Sequence, residues 1–303
     1  MAAPRPKRRK ARWSASLKGL AFCSPVIVGL LALTLYPVLA SLYYSFCRYP
    51  VLKPPVWIGG GNYEYLVHDR LFWKSLENTV YYAVFAVPLG MLVAFTLAML
   101  LNMKLRGIAV YRTLFFVPSI VPVVAGAVLW LWLLNPQYGL VNAVLGMVGA
   151  SQPGWLADPE WSKPALILMS LWGVGGWMLI YLAGLQDVPQ ELYEAAELDG
   201  ASWWHRTVHI TLPFMSPHIL FTLVMGLIGA LQLFTNVWVM TQGTGAPADS
   251  TLFYSMYLFQ NAFQYLKMGY ACALAWILFV LILTATAVIF RTSARYVYYH
   301  GGA

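Results

Sequence analysis

Side chains able to do chemistry are scarce in this 303-residue chain and fall into two groups. The first is the polar island Glu194 to Pro213, EAAELDGASWWHRTVHITLP, set between two long apolar runs. In it His205 and His209 have the i, i+4 spacing that puts two imidazoles on one helix face. Zinc chemistry needs a third protein ligand. None accompanies them, so the pair is expected at a surface or an interface, and no metal site is expected. The second group, Gln232, Thr235, Asn236 and Trp238, stands inside an apolar run. If that run is helical, Gln232, Thr235 and Asn236 share a face at i, i+3 and i+4. Amides beside an aromatic ring suit a hydroxyl-rich ligand, and unpaired amides are costly in lipid. The same groups would serve equally as hydrogen-bonded staples between helices. Trp130, Trp132, Trp172 and Trp177 are weaker candidates of the same kind. No Gly-x-x-x-x-Gly-Lys-Ser/Thr loop occurs, and GVGGW at Gly173 to Trp177 lacks the lysine that reaches a phosphate, so its glycines are assigned to close helix packing. No acid, base or nucleophile constellation is present, so no catalytic residue is expected.

The elements that must position these groups follow from the solvent. At 60% hydrophobic and 10% charged, with a mean hydropathy of +0.65, the composition excludes an ordinary soluble domain, where about 25% of residues are charged. The cysteines Cys23, Cys47 and Cys272 are odd in number and have no metal spacing, and each is expected to be a small buried hydrophobe. A charge at mid-bilayer costs about 2.5 to 3.5 kcal/mol, so charge-free windows locate the spans. They run from Gly19 to Cys47, Asn78 to Met103, Thr113 to Trp155, Pro164 to Gln186, Thr207 to Ala248 and Met268 to Phe290. Each holds a helix of about 20 residues. In the third window NPQYG, Asn135 to Gly139, breaks the run, and LVNAVLGMVGA beyond it is too short to span and is expected to be interfacial.

The expectation is therefore an all-α, polytopic membrane protein with six transmembrane helices. Thirteen of the nineteen lysines and arginines fall on the side that holds the N-terminus, which makes both termini cytoplasmic. The divisions are a basic cytoplasmic segment over 1–19, a membrane domain over 20–291 and a cytoplasmic tail over 292–303. The basic head abuts an apolar run too long for a signal peptide, and PVLAS is a poor cleavage site. It carries no aromatic interleaving and no fold behind it, so no nucleic-acid partner is expected.

This topology leaves residues 187–213 in the cytoplasm. DVPQELYEAAELDG carries a helix start, with Asp187 and Gln190 at capping-box spacing and Pro189 in the first turn, and a stop at Gly200. Leu192, Ala195, Ala196 and Asp199 share one face of that helix, with Glu191, Glu194 and Leu198 beside it. After Gly200, ASWWHRTVHI starts a second helix before Pro213 leads into the fifth span. The result is an acidic helix-turn-helix elbow with a small-residue face, the shape of a plug for a socket on a soluble protein.

Glu194, Ala195, Ala196, Asp199, Gly200, Ala201, Ile210, Leu212 and Pro213 carry a pattern that resembles the signature loop of ABC-importer permeases. YPVLASLYYSF, FWKSLENTVYYAV, YRTLFFVPSIVP, WLLNPQYGLVNAVL and FQYLKMGYACALA extend the resemblance over nearly the whole chain, to the carbohydrate-uptake class and its glycerol-phosphate, lactose and raffinose-type permeases. That resemblance implies an importer permease fold whose loop 187–213 docks in a nucleotide-binding subunit, with Glu194 for a salt contact and Gly200 for the turn. It implies a second homologous permease, two copies of a cytoplasmic ATPase that binds the ATP and Mg, an extracytoplasmic solute-binding protein, a sugar or polyol solute, and a bacterial inner membrane. The chain departs from the family at Thr207, commonly aromatic, and at Gln242, Thr244 and Ala246 in VMTQGTGAP. Alternatives are an ion-coupled secondary transporter or an ABC exporter subunit. The former would bury a carboxylate at the midplane, whereas here Glu77, at the edge of the second span, is the acid nearest to one.

Overall fold

The computed structural model describes residues 8–103, 106–293 and 297, with side chains from residue 18 onward. Residues 1–7 of the basic head, most of the 292–303 tail, Lys104 and Arg295 lie outside the described residues. By internal contacts the chain divides into two units, residues 1–65 with 261–276, and residues 66–260 with 277–303.

The first unit opens with helix α1 (Arg8–Leu30), a π-helical turn over Leu31–Leu35, and α2 (Tyr36–Ser45). The run has no break, so the basic segment expected to end at residue 19 is helical from Arg8 and continuous with the first span. Of that span only Ser45, at its far end, is buried, and Cys23 is exposed on it, contrary to the expectation of burial. Cys47 and Cys272 are buried. Beyond Ser45, β1 (Cys47–Arg48) pairs antiparallel with β2 (Val56–Trp57), a small departure from an all-helical chain. The two carboxamide hydrogens of Asn62, in α3 (Gly61–His68), go to Ser45 O and Cys47 O at 2.7 and 2.9 Å, which fixes the helix against this corner.

The second unit is organised by α4 (Arg70–Leu101), capped by Asp69, whose side chain accepts from Leu71 N at 3.0 Å. At 1.5 Å per residue it is about 48 Å long, more than the hydrocarbon thickness requires. Ala86, Gly90, Ala94 and Ala98 recur every four residues on one buried stripe. Small residues at that spacing let helices approach closely, which matters because lipid supplies no hydrophobic drive between them. The stripe packs against Val174, Met178, Tyr181, Leu182 and Met215. Next come α5 (Ile108–Ile120) and α6 (Val123–Leu133), bent by 99° at Val121 and Pro122, both extended, as the residue before a proline prefers. The expected interfacial segment is the eight-residue α7 (Leu140–Met147).

Helix α8 (Pro159–Trp172) starts at the cap Asp158 and meets α9 (Gly175–Gln186) at a 48° bend. Gly175 lies so close to the backbone of Phe115 and Phe116 that a Cβ would clash, which bears out close packing at GVGGW. The elbow helices α10 (Gln190–Leu198) and α11 (Trp203–Arg206) follow, then a π turn over Thr207–Thr211 and α12 (Leu212–Leu231). After a break come α13 (Thr235–Thr241) and α14 (Tyr254–Phe259), and α15 (Met268–Ser293) is the last of the described helices. Among the described residues, four helical segments are long and apolar enough to cross a membrane, and the number is six if each bent pair is one span.

Both proline-entry points share a device. Pro37 and Pro213 cannot donate to the carbonyl four residues back and would clash with it. In each case that carbonyl, of Leu33 and His209, lies in the π turn, whose wider winding removes the conflict. Pro213 therefore stands inside a continuous helical run from Trp203 to Leu231, where a separate entry into the fifth span was expected.

Candidate functional site

The elbow is built as a short helix stopped by glycine. Its start differs from expectation: Asp187 is the C-cap of α9 and Pro189 the N-cap of α10, with no side-chain capping bond. Because α10 begins at Gln190, Asp187 stands two residues before the cap position, and Pro189, which occupies it, has no side-chain acceptor to offer. The stop is as expected. Gly200 has φ +75°, its N–H donates to Glu197 O at 3.0 Å, and Ala201 N–H donates to Ala196 O at 2.9 Å. That pair of bonds closes a helix through a left-handed residue. Ser202 then caps α11, with its hydroxyl 3.0 Å from His205 Nδ1.

Two contacts tie the arms of the elbow together. Arg206 Nη1 donates to Glu197 Oε1, and the Tyr193 and Thr211 hydroxyls are 2.9 Å apart. Glu194, expected to make a salt contact, points to solvent and makes no ion pair among the described residues. Ala195, Asp199 and Gly200 are exposed with it, while Ala196 and Ala201 are half-buried. Leu198 is 91% exposed, and Trp203 and Trp204 are exposed as well. Sequence reasoning set Leu198 beside the small-residue face but passed over the two tryptophans, although two indoles on a polar loop were the signal. Ile210, Leu212 and Pro213 lie away from the turn, in the helical run that enters the fifth span. Thr207 is buried and bonds Trp203 O at 2.9 Å. The His205 and His209 rings stack at 5.7 Å, and no group of three or more metal-ligating side chains occurs among the described residues.

The second group is arranged otherwise than expected. Helix α12 ends at Leu231, Gln232 is its C-cap, and α13 begins only at Thr235. The break destroys the helical phase between Gln232 and Thr235, so the shared face does not exist. Gln232 and Thr235 are exposed. Asn236 lines a cavity of about 260 Å³ with Trp130, Trp172 and Gly173. Trp238 instead stacks on Phe234 at 5.4 Å and meets Phe259 edge-on.

A further cavity of about 220 Å³ lies between α4, α8, α9 and α12, lined by Tyr82, Gly90, Ser170, Gly173, Trp177 and Gly226 among others. Ser170 and Gly173 line both cavities, so the two adjoin at the α8–α9 bend. Gly90 and Gly226 leave room for the Trp177 ring, since a Cβ on either would come within about 3.0 Å of it. No Asp, Glu, Lys, Arg or His lines either cavity. Their hydroxyls, indoles and one amide can exchange hydrogen bonds with a neutral polar solute and offer ring faces to it. Tyr82 and Ser170 were missed in the sequence because they lie in unrelated helices, with no spacing to join them.

Comparison with known proteins agrees with this architecture. Residues 86–296 match the family described as binding-protein-dependent transport system inner membrane component. The chain is 43% identical to a probable ABC transporter permease protein, YesP, of Bacillus subtilis, over 94% of this chain and 93% of that one. It is 37% identical to the lactose transport system permease protein LacF of Rhizobium radiobacter, over 88% and 90% of the two chains. The fold is that of a chain in a bacterial ABC transporter involved in the import of the polysaccharide alginate, with TM-score 0.83, 24% identity, and coverage of 95% and 99%. By family match and by relatives of this similarity, the chain belongs to the binding-protein-dependent transport system inner membrane components, the permease subunits of ABC transporters.

Proposed function

We propose that this protein is the permease subunit of an ATP-driven, binding-protein-dependent importer for a sugar or related polyol or glycoside. The observation that carries the reading is the elbow, where a glycine-stopped helix presents Glu194, Ala195, Asp199 and the exposed Leu198, Trp203 and Trp204 to solvent. Large apolar side chains exposed together with acids on one short loop suit a protein-docking surface. The partner is an ATPase, two copies of which bind ATP and Mg and draw the elbows of this chain and a second homologous permease together. The loop 187–213, with Ile210, Leu212 and Pro213 at its exit, passes that motion to the fifth span, and alternating access follows. Six spans over 20–291 with both termini cytoplasmic place the elbow on the ATPase side of a bacterial inner membrane, flanked by the 1–19 and 292–303 segments.

The solute class rests on the likeness to a lactose permease and on the uncharged, aromatic lining of the two cavities. An extracytoplasmic binding protein delivers the solute, and Trp177, Tyr82, Ser170 and Asn236 line its way, with Gln232, Thr235 and Trp238 at the margin. The test is ATP hydrolysis by the assembled complex in liposomes with individual purified binding proteins. Stimulation only by a sugar-loaded binding protein is expected. Uptake that runs on an ion gradient with neither binding protein nor ATP would refute the proposal.

A further inference from the structure

The first unit holds a cleft of about 590 Å³ that nothing above uses. Its walls include Arg48, Tyr49, Asn62, Tyr65, Lys267 and Tyr270. We propose that this cleft binds the phosphate-bearing headgroup of an anionic phospholipid.

Position is the first ground. Arg48 lies three residues past Ser45, the end of the first span, and Lys267 immediately precedes Met268, the start of the last. Three extended residues cover about 10 Å, and long cationic side chains shift along the membrane normal to find phosphate. Both cations therefore stand at headgroup depth, whichever side of the membrane this is.

Charge is the second ground. Neither Arg48 nor Lys267 is ion-paired among the described residues. Lys267 Nζ stands 5.8 Å from the centre of the Tyr65 ring, and that ring meets Tyr270 edge-on at 5.1 Å. A phosphodiester reached by a guanidinium fork and an ammonium receives charge-assisted hydrogen bonds from both. Asn62 spends its hydrogens on Ser45 O and Cys47 O, so its carbonyl oxygen remains as an acceptor suited to a glycerol hydroxyl. Tyrosines are the residues that sit at the membrane–water interface with one wet end.

Shape is the third. Backbone bonds fix the walls of the cleft: Gly269 N donates to Tyr49 O at 3.2 Å and Lys267 N donates to Asn261 O at 2.8 Å. A Cβ on Gly269 would collide with Cys47 O, so the walls approach as closely as glycine permits. The volume is too large for a bare phosphate and suits a glycerophosphate group.

The assembled transporter, solubilised in detergent, is mixed with equal amounts of phosphatidylglycerol and phosphatidylcholine, and the lipid retained on the intact permease is read by native mass spectrometry. Each cation at the surface contributes about fivefold, so a preference of roughly 30-fold for phosphatidylglycerol is expected. The Arg48→Gln, Lys267→Gln double variant should lower it at least about tenfold. The Arg48→Lys, Lys267→Arg variant should retain it, and its normal yield shows that exchange at these positions leaves the fold intact. Equal retention of both lipids by the unaltered protein, or an unchanged preference in the double glutamine variant, overturns the proposal. Inorganic phosphate in excess should not displace the lipid; displacement would assign the cleft to a soluble phosphate. Displacement by a glutamate-rich peptide would assign it to a protein partner, and either result overturns the lipid.

Discussion

Replacing Gly200 by valine tests the elbow at its narrowest point. A side chain added there would meet no atom within 4 Å, so the substitution causes no steric collision with the rest of the chain. Its whole cost lies in the backbone, which is held at φ +75°. An L-residue in the left-handed region costs about 1 to 2 kcal/mol, and a β-branched one is among the least tolerant. The chain can escape only by surrendering the bonds from Gly200 N to Glu197 O and from Ala201 N to Ala196 O, which are together worth about 1 to 3 kcal/mol. By either route the native elbow loses about 2 kcal/mol, enough to multiply the misshapen fraction about 30-fold. Solute-stimulated ATPase and uptake in proteoliposomes should fall severalfold or more, with normal amounts of permease in the membrane. Asparagine, which tolerates this conformation, should retain most activity and alanine an intermediate amount. Full coupling in Gly200→Val, or equal losses for asparagine and valine, would refute the reasoning.

Other outcomes follow from the same geometry. Reversing either charge of the Glu197–Arg206 pair should shift stability by less than about 1 kcal/mol, since Glu197 is largely exposed, yet lower the solute transported per ATP; the double exchange Glu197→Arg, Arg206→Glu should restore that ratio, and equal ratios throughout would remove the strut role. Gly226→Ala puts a methyl group about 3.0 Å from both Trp177 and Val87, which should cost about 1 to 3 kcal/mol as a lower melting temperature in detergent. Asn236→Ala should raise the solute concentration needed for half-maximal uptake by about 2- to 12-fold, the equivalent of one hydrogen bond, while basal ATPase persists; unchanged uptake with a lower melting temperature would leave the side chain a staple. With native cysteines replaced, Leu198→Cys should react with an impermeant thiol reagent from the cytoplasmic face and Ser151→Cys from the outer face, and reversed labelling would overturn the span count.

The long apolar helices were legible because exclusion of charge from hydrocarbon is a local property of the sequence, and each charge-free window overlaps one long helix or one bent pair. Gly200 was legible for a similar reason, since a helix that ends at glycine needs no tertiary information. The break at Gln232 to Phe234 was not. No proline or glycine marks it, so helical spacing was carried through and joined Gln232 to Asn236 on a face that is absent. The central cavity was equally hidden, because Tyr82, Ser170, Trp177 and Gly226 come from four helices brought together by packing. The role of Asp187 was misread because a capping motif can be scored in sequence without asking whether the preceding helix already uses the residue.

The unbroken helical run from Trp203 to Leu231 makes the elbow one end of a stiff rod, about 43 Å long at 1.5 Å per residue. If that rod rocks by about 5° about its middle, each end sweeps roughly 2 Å in opposite senses, with amplitude fixed by length and not by the strength of any contact along the way. The helix is interrupted at Gln232 to Phe234, where the far end of the rod meets Leu233 at the rim of the 220 Å³ cavity, so the sweep reaches that rim. A lever with one end at the cavity and the other at the elbow would work without a relay of individual side chains. Shortening the rod by one turn would change the stroke in proportion while leaving both ends chemically intact.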